Sequence, residues 1–118
     1  MKRLLFIYNL HSGKGLIRNH LADIIDTFNK AGYETVVYST QERADATRLA
    51  KELGAAYDLV VCSGGDGTLS EVLDGVMTID EKRRPKIGYI PAGSTNDYAY
   101  SLGLPSQMKR CANVIAEE

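Results

Sequence analysis

Short apolar segments of strand type alternate with helical stripes along the sequence, and this alternation restricts the fold more than any other feature. Residues 4–8 form a continuous apolar run, which is typical of a strand that is buried on both faces. Three later segments also read as strands: residues 35–38, 58–62 and 86–90. Strict alternation of strands and helices predicts a mostly parallel sheet with helices on both faces. We therefore expect a three-layer α/β/α fold.

The helices are predicted from apolar residues that recur every three or four positions. The first stripe ends before Gly32 and the second near Gly54, and glycine is a frequent helix stop. A third helix is expected over residues 69–77, and two more over residues 96–102 and 106–116. The first two stripes consist of Ile17, Leu21, Ile24, Ile25 and Phe28, and of Ala46, Leu49, Ala50 and Leu53.

Length and charge limit the kind of protein. A chain of 118 residues and 12.9 kDa supports one compact domain. Its net charge of −1 argues against a broad surface for nucleic acid or for an anionic membrane. No segment is long and apolar enough to span a membrane. The basic run at Lys82, Arg83, Arg84 and Lys86 is interpreted as a solvated loop.

Cysteine usage and the C-terminal region give two further expectations. Cys62 and Cys111 are far apart in the sequence and have no metal-ligand spacing, and Cys62 should pack as a small apolar residue. We therefore expect a reduced, cytoplasmic protein. The last predicted helix continues to the final residues with no strand after it, so we expect the chain to be part of a longer protein.

Polar loops directly follow three of the predicted strands, at residues 9–15, 63–68 and 91–97. Because the carboxyl ends of parallel strands meet at one edge of the sheet, these loops should share that edge. In open α/β sheets this edge holds the ligand, above all where the strand order reverses. If strand one lies between strands two and three, the first two loops face each other across the crevice.

The loop over residues 63–68 has the chemistry of a phosphate site. Its glycines allow positive φ and a close approach of ligand to backbone, and Thr68 begins a helix whose first N–H groups are unpaired and whose end is positive. Asp66 among these N–H groups favours Mg²⁺ or a sugar hydroxyl beside the phosphates. The alternative is a tight Gly-Asp-Gly turn. For this loop alone the two readings are about even, and the other two loops favour a site.

Two common nucleotide motifs are absent. Lys14 is followed by Gly15 and lacks the upstream glycine of the GxxxxGK[ST] phosphate loop. Neither Gly13-Lys14-Gly15 nor Gly65-Asp66-Gly67 continues into GxGxxG. The chain is therefore predicted to be neither an ordinary P-loop enzyme nor a GxGxxG dehydrogenase.

The three loops together resemble a known family. Gly64-Gly65-Asp66-Gly67-Thr68 with Glu71 is similar to the GGDGT…E signature of diacylglycerol, sphingosine and ceramide kinases, NAD kinases and 6-phosphofructokinases. Residues 9–15 resemble the NPxSGxG segment of the lipid kinases, with Leu10 in place of proline. Residues 91–99 resemble their PxGTxNDFA segment, with Ser94 in place of threonine. The sequence is thus identified as similar to the diacylglycerol kinase catalytic domain, in its soluble bacterial branch.

This resemblance implies a fold, a reaction and a set of site residues. It implies an NAD kinase/phosphofructokinase-like domain over residues 1–118 that binds ATP with Mg²⁺, and a lipid acceptor met transiently at the membrane surface. Asp66 would order the metal, and Asp66 and Asp97 would act where phosphate meets the acceptor, with Asn96 in support. Nucleotide contacts are implied for Asn9, Ser12, Gly13, Lys14, Thr40, Gly64, Gly65, Asp66, Gly67, Thr68, Leu69, Ser70, Glu71 and Ser94.

The family also carries expectations beyond this chain. Its members have a second, β-rich domain that supplies the catalytic base, and nothing in this sequence corresponds to it. The resemblance is compatible with a homodimer. Two alternatives stay open at this point: an NAD kinase-like or sugar kinase with a different acceptor, and a non-catalytic nucleotide-binding regulatory module.

Several other polar residues have a plainer interpretation. Lys14 could clamp a phosphate, and an exposed loop lysine is the commoner case; His11 is expected on the same loop, and His20 on a helix surface. The tyrosines at positions 98 and 100 should pack at the edge of the sheet. Exposed helix charges are predicted at Asp23, Asp26 and Asp74.

Overall fold

The computed structural model describes residues 2–9 and 16–91, and these form a four-stranded parallel sheet. Its strands are β1 (Lys2–Tyr8), β2 (Tyr33–Ser39), β3 (Leu59–Gly64) and β4 (Lys86–Pro91), in the order β2-β1-β3-β4. Three helices connect them: α1 (Leu16–Lys30), α2 (Asp45–Leu53) and α3 (Asp66–Met77). β1 therefore lies between β2 and β3, which is the condition under which the first two loops face each other.

Alternate residues of β1 face two different helical layers. Leu4 and Phe6 pack in one core with Phe28 of α1, and the Phe6 and Phe28 rings meet edge to face at 5.9 Å. Leu5 and Ile7 pack in a second core that is formed with α2 and α3. All four of these β1 side chains are fully buried. The predicted three-layer α/β/α architecture is therefore confirmed.

The C-terminal end of α1 and the exposure of its acidic residues agree with the predictions from the sequence. Gly32 has a φ of 96° and its N–H donates to the carbonyl of Asn29 at 3.1 Å, so glycine ends the helix in the left-handed conformation. Asp23 and Asp26 are exposed, as is Asp74 on α3.

None of the helices within the described ranges is long and apolar enough to cross a membrane. The helices expected at residues 96–102 and 106–116 fall outside those ranges.

The connection between β3 and α3 is shorter than predicted. The strand continues to Gly64 and the helix begins at Asp66, not at residue 69, so Gly65 alone joins them. The expectation of positive φ in this loop was wrong, because Gly32 is the only described glycine with positive φ and Gly65 is extended, at φ −83° and ψ −175°. Glycine is needed at position 64 for another reason: an added Cβ would lie 2.8 Å from Thr68 Cβ.

Helices α2 and α3 are in close contact. A Cβ at Gly75 would come within 2.8 Å of Ala50 Cβ and would overlap with the backbone oxygen of Thr47. The Thr47 hydroxyl donates to the carbonyl of Glu71 at 2.8 Å. The two helices are therefore fixed to each other by packing and by a side-chain hydrogen bond.

The basic run near residue 84 is partly structural. Arg84 Nε donates to the carbonyl of Ile79 at 2.9 Å and its Nη2 donates to that of Met77 at 3.1 Å. This guanidinium therefore covers carbonyls at the C-terminal end of α3, where a cation is favourable. Lys82 and Arg83 are exposed, which agrees with a solvated turn.

We predict that Gly64→Ala destabilises the protein and that Gly67→Ala does not. The methyl group at position 64 must displace the buried Thr68 side chain, which should lower the free energy of unfolding by about 1–3 kcal/mol. At Gly67 an added Cβ meets no atom within 4 Å among the residues that the structure describes, and alanine favours the helical conformation by up to about 1 kcal/mol. Urea unfolding of both variants measures the difference. Equal stability of the two would contradict the proposed contact between Gly64 and Thr68.

Candidate functional site

Backbone and side-chain hydrogen bonds hold the carboxyl ends of the strands together. Beyond the regular ladder, three such bonds join neighbouring strand ends across the sheet, so the floor of the candidate site is continuous. They run from Asn9 N–H to the Ser63 carbonyl (2.9 Å), from Thr40 N–H to the Tyr8 carbonyl (2.9 Å), and from Tyr89 Oη to the Gly64 carbonyl (2.8 Å).

A cleft with a volume of about 260 Å³ lies above the end of β1. Asn9 at the end of β1 lines it, residues 40–43 after β2 form one wall, and Thr68 and Glu71 of α3 form the other. It therefore lies at the carboxyl edge of the sheet, beside the reversal of strand order between β1 and β3. This is the position at which open α/β sheets bind ligands.

The N-terminal part of α3 borders this cleft. Thr68 N–H and Leu69 N–H both turn to the Gly65 carbonyl, at 3.1 and 3.4 Å, which marks the first helical turn. The earliest N–H groups of a helix have no helical carbonyl partner, and the helix end carries partial positive charge. Such an end binds phosphate or carboxylate.

A buried hydroxyl lies at the adjacent strand end. Ser63 is fully buried, and its Oγ has no hydrogen-bond partner in the part of the chain that the structure describes. Most buried polar groups in proteins are paired with protein atoms or with water. Ser63 does not line the cleft, and among the described residues Thr35 Oγ1 on β2 is buried without a partner as well, so these hydroxyls do not mark the ligand site.

The structure brings together several of the predicted site residues. Asn9, Thr40, Thr68 and Glu71 all line the cleft. Gly64 ends β3, Gly65 joins it to α3, and Asp66 and Gly67 are the first two residues of that helix.

Other predicted site residues are not in the cleft wall. Leu69 packs against the α2–α3 core and Ser70 is exposed, so their nucleotide contacts stay predictions. Ser12, Gly13, Lys14, Ser94, Asn96 and Asp97 lie outside the described residues, as do His11, Tyr98 and Tyr100. Their predicted roles also stay predictions.

The sequence analysis missed most of the wall after β2. Only Thr40 was assigned there, whereas Gln41, Glu42 and Arg43 also line the cleft. The signal that could have found them is Asp45, an acid placed directly before the apolar stripe of α2. Its Oδ2 accepts hydrogen bonds from the N–H groups of Gln41 (2.7 Å) and Glu42 (3.3 Å).

These hydrogen bonds set the protonation of the carboxyl group. The N–H of Gln41 is the main cause that holds the pKa of Asp45 below its usual range, and the Glu42 N–H and the Arg48 guanidinium act in the same direction against desolvation. Asp45 is therefore a carboxylate at neutral pH.

The donor set of the cleft consists of oxygen and nitrogen groups without thiol or imidazole. Among the described residues no cluster of three or more His, Cys, Asp or Glu side chains could hold a metal by itself. Cys62 lies in the α2–α3 core, where burial raises the pKa of its thiol to about 12. It packs as the predicted small apolar residue.

A second cavity, with a volume of about 210 Å³, lies at the opposite edge of the sheet. Lys2, Asp58 and Lys86 at the amino ends of three strands line it, together with Leu59 and Tyr33. Asp58 Oδ2 there accepts from the N–H of Arg3 at 2.8 Å. This cavity is remote from the glycine-bearing joint and from the N-terminus of α3.

Comparison with known proteins gives a consistent result. Residues 3–118 match the family model described as diacylglycerol kinase catalytic domain. The chain is similar to the diacylglycerol kinase of Bacillus subtilis (strain 168), with 44% identity over 91% of this chain and 35% of the relative. It is equally similar to a diacylglycerol kinase of Staphylococcus epidermidis, with 44% identity over 98% of this chain and 36% of the relative.

A solved structure shows the same fold. The crystal structure of a diacylglycerol kinase from Bacillus anthracis str. Sterne superposes with a TM-score of 0.79 and 30% sequence identity, over 98% of this chain and 42% of that one. The chain thus spans about a third of the length of the curated relatives that it matches.

Proposed function

The chain belongs to the diacylglycerol kinase catalytic domain family, and on that premise we propose that it is the nucleotide-binding part of a lipid kinase. The reaction would transfer the γ-phosphate of ATP to a hydroxyl group of a lipid such as diacylglycerol. The observation that carries this proposal is the cleft at the carboxyl edge, with Asn9 as its floor and Thr68 beside the N-terminus of α3. The same family membership counts against the NAD kinase-like, sugar kinase and regulatory alternatives.

The nucleotide phosphates would lie against the beginning of α3. There the backbone N–H groups near Gly65 and Gly67 and the hydroxyl of Thr68 supply donors to anionic oxygens. Gly67 is exposed and an added Cβ would meet no atom of the described residues within 4 Å, so packing within the described part of the fold does not require glycine at that position. A ligand that approaches the backbone does require it.

Magnesium fits the donor chemistry of this cleft. Glu71 and Glu42 offer carboxylates, and Asn9 and Thr68 offer neutral oxygens, which are ligands suited to a hard cation. Mg²⁺ in phosphoryl-transfer sites is held by one or two carboxylates and by the substrate phosphates, so a cage of protein ligands is not needed. Asp66 would hold the ion or its waters, and the ion would neutralise charge on the phosphates.

The remaining parts of the reaction would come from elsewhere. We propose that Asp97 supports the acceptor end of the site, and that the catalytic base and the lipid site lie in the β-rich domain that the family resemblance implies. Phosphoryl transfer depends mainly on positioning and on charge neutralisation, and these are what a nucleotide domain contributes. The protein would meet its lipid transiently at a membrane surface. A cytoplasmic location and a homodimer stay predictions.

We predict that Gly67→Ala weakens nucleotide binding without lowering stability. The methyl group occupies the space through which phosphate approaches the helix N-terminus, so the Kd for Mg-ATP should rise about tenfold or more, which corresponds to about 1.4 kcal/mol or more. Titration calorimetry with Mg-ATP measures this, and urea unfolding checks that the variant is folded. Unchanged affinity in Gly67→Ala would place the phosphates elsewhere, and no binding by the wild-type chain would contradict the proposed function.

We also predict that catalysis requires more of the protein than residues 1–118. A form that includes the β-rich domain should phosphorylate diacylglycerol in mixed micelles with ATP, whereas the 118-residue chain should only bind nucleotide. In the longer form Asp66→Asn should abolish transfer and, in both forms, remove the Mg²⁺ dependence of binding. Rapid turnover by the short chain would show that the base is already present and would make Asp97 the first candidate. Unfolding of Asp66→Asn would show a structural role for Asp66.

A further inference from the structure

The loop that forms the β2 side of the cleft is anchored at both ends. At its start, Thr40 N–H donates to the Tyr8 carbonyl at 2.9 Å. At its end, a single oxygen of Asp45 accepts from the N–H groups of both Gln41 and Glu42. The side chains between these anchors, from position 41 to position 44, are exposed. The shape of this wall therefore depends on hydrogen bonds that the backbone N–H groups of the loop donate, and not on apolar packing of its side chains.

The backbone at Ala44 shows that the loop is held in place. Ala44 has φ 70° and ψ 2° and is the only non-glycine residue within the described ranges that has positive φ. Residues other than glycine persist in this left-handed region only where the surrounding structure forces them. Asp45 directly follows Ala44 and, although charged, is buried. Its side-chain hydrogen bonds to the preceding residues add to the backbone hydrogen bonds on either side of Ala44, from Asp45 N–H to the Glu42 carbonyl and from Arg48 N–H to the Ala44 carbonyl.

The α3 wall of the cleft is linked to α2, the helix that contains Asp45. Thr47, two residues after Asp45, donates its hydroxyl to the Glu71 carbonyl on α3. Because Glu71 itself lines the cleft, Asp45 fixes the loop to a helix that is already fixed to the other wall. The two walls of the cleft are therefore connected to each other through α2.

From this geometry we propose that Asp45 is a positioning residue for the nucleotide. It holds residues 40–43 in the shape that contacts the nucleotide, and it does not touch the nucleotide itself. The proposal rests on the proposed function, since it assigns this wall to nucleotide binding. Order imposed on a binding loop before association removes part of the entropy that binding would otherwise cost.

The two carboxylate oxygens of Asp45 have different partners, so the loop hydrogen bonds can be tested separately from the ion pair with Arg48. Oδ2 accepts both loop hydrogen bonds, whereas Oδ1 faces Arg48 Nη2 at 3.5 Å. In Asp45→Asn the amide oxygen can take the place of Oδ2, so the loop keeps its acceptor. In Asp45→Ala both loop hydrogen bonds are lost. Arg48→Ala removes the ion pair with Asp45 and a second one with Glu52 at 3.2 Å, and it leaves both loop hydrogen bonds in place.

The test compares the affinity of these variants for Mg-ATP by titration calorimetry. Asp45→Ala should raise the Kd about tenfold or more, whereas Asp45→Asn and Arg48→Ala should stay within about threefold of the wild type. Arg84→Ala serves as a stability control, because it removes hydrogen bonds at the far end of α3 and should lower the melting temperature without a change in affinity. Wild-type affinity in Asp45→Ala, or an equal loss in Arg84→Ala, would overturn the proposal.

A second measurement tests the anchor without any nucleotide. Amide hydrogen exchange, followed by NMR, should show protection of Gln41 and Glu42 in the wild type and in Asp45→Asn, and loss of that protection in Asp45→Ala. If the wild-type chain binds no nucleotide while this pattern holds, the proposed function fails and the loop anchor stands. If the exchange of both amides is the same in Asp45→Ala as in the wild type, the positioning role itself is wrong.

Discussion

Strand β3 passes into helix α3 through Gly65 alone, and this short connection fixes where the helix begins. Gly64 lies against Thr68 so closely that the chain has no room for a side chain at position 64. Because β3 is hydrogen-bonded between β1 and β4, the N-terminus of α3 is held at the carboxyl edge of the sheet. The partial positive charge of the helix is thereby directed toward the region above β1. The candidate phosphate site depends on this arrangement.

The cleft is built from walls that do not rest on flexible side chains. On one side, α3 is packed against α2 through Gly75 and Ala50 and is hydrogen-bonded to Thr47. On the other side, the segment after β2 is tied to α2 by Asp45. Both walls of the cleft are therefore attached to α2, although α2 itself contributes no residue to the cleft lining. Such a preformed site reduces the ordering that must accompany binding.

The apolar pattern of the sequence was sufficient for the strands and for the parallel α/β architecture, because buried parallel strands and amphipathic helices have distinct periods; the strand order came from the structure. It was insufficient where local preference and tertiary structure disagree. Gly65, Asp66 and Gly67 read as a loop because glycine and aspartate are poor helix formers, yet the helix begins at Asp66. The left-handed Ala44 could not be expected either, since alanine has no intrinsic preference for that conformation. The hydrogen bonds of Asp45 and the backbone hydrogen bond from Arg48 N–H to the Ala44 carbonyl accompany it in the structure.

The most direct test of the central claim is to map the nucleotide onto the chain by NMR. We predict that Mg-ATP shifts the amide signals of Asn9, of Thr40 and of the first turn of α3, while the signals of Lys2 and Asp58 at the opposite cavity stay unchanged. That result would place the nucleotide between the ends of β1 and β3. Shifts concentrated at the amino edge, or no shifts at saturating nucleotide, would contradict the account.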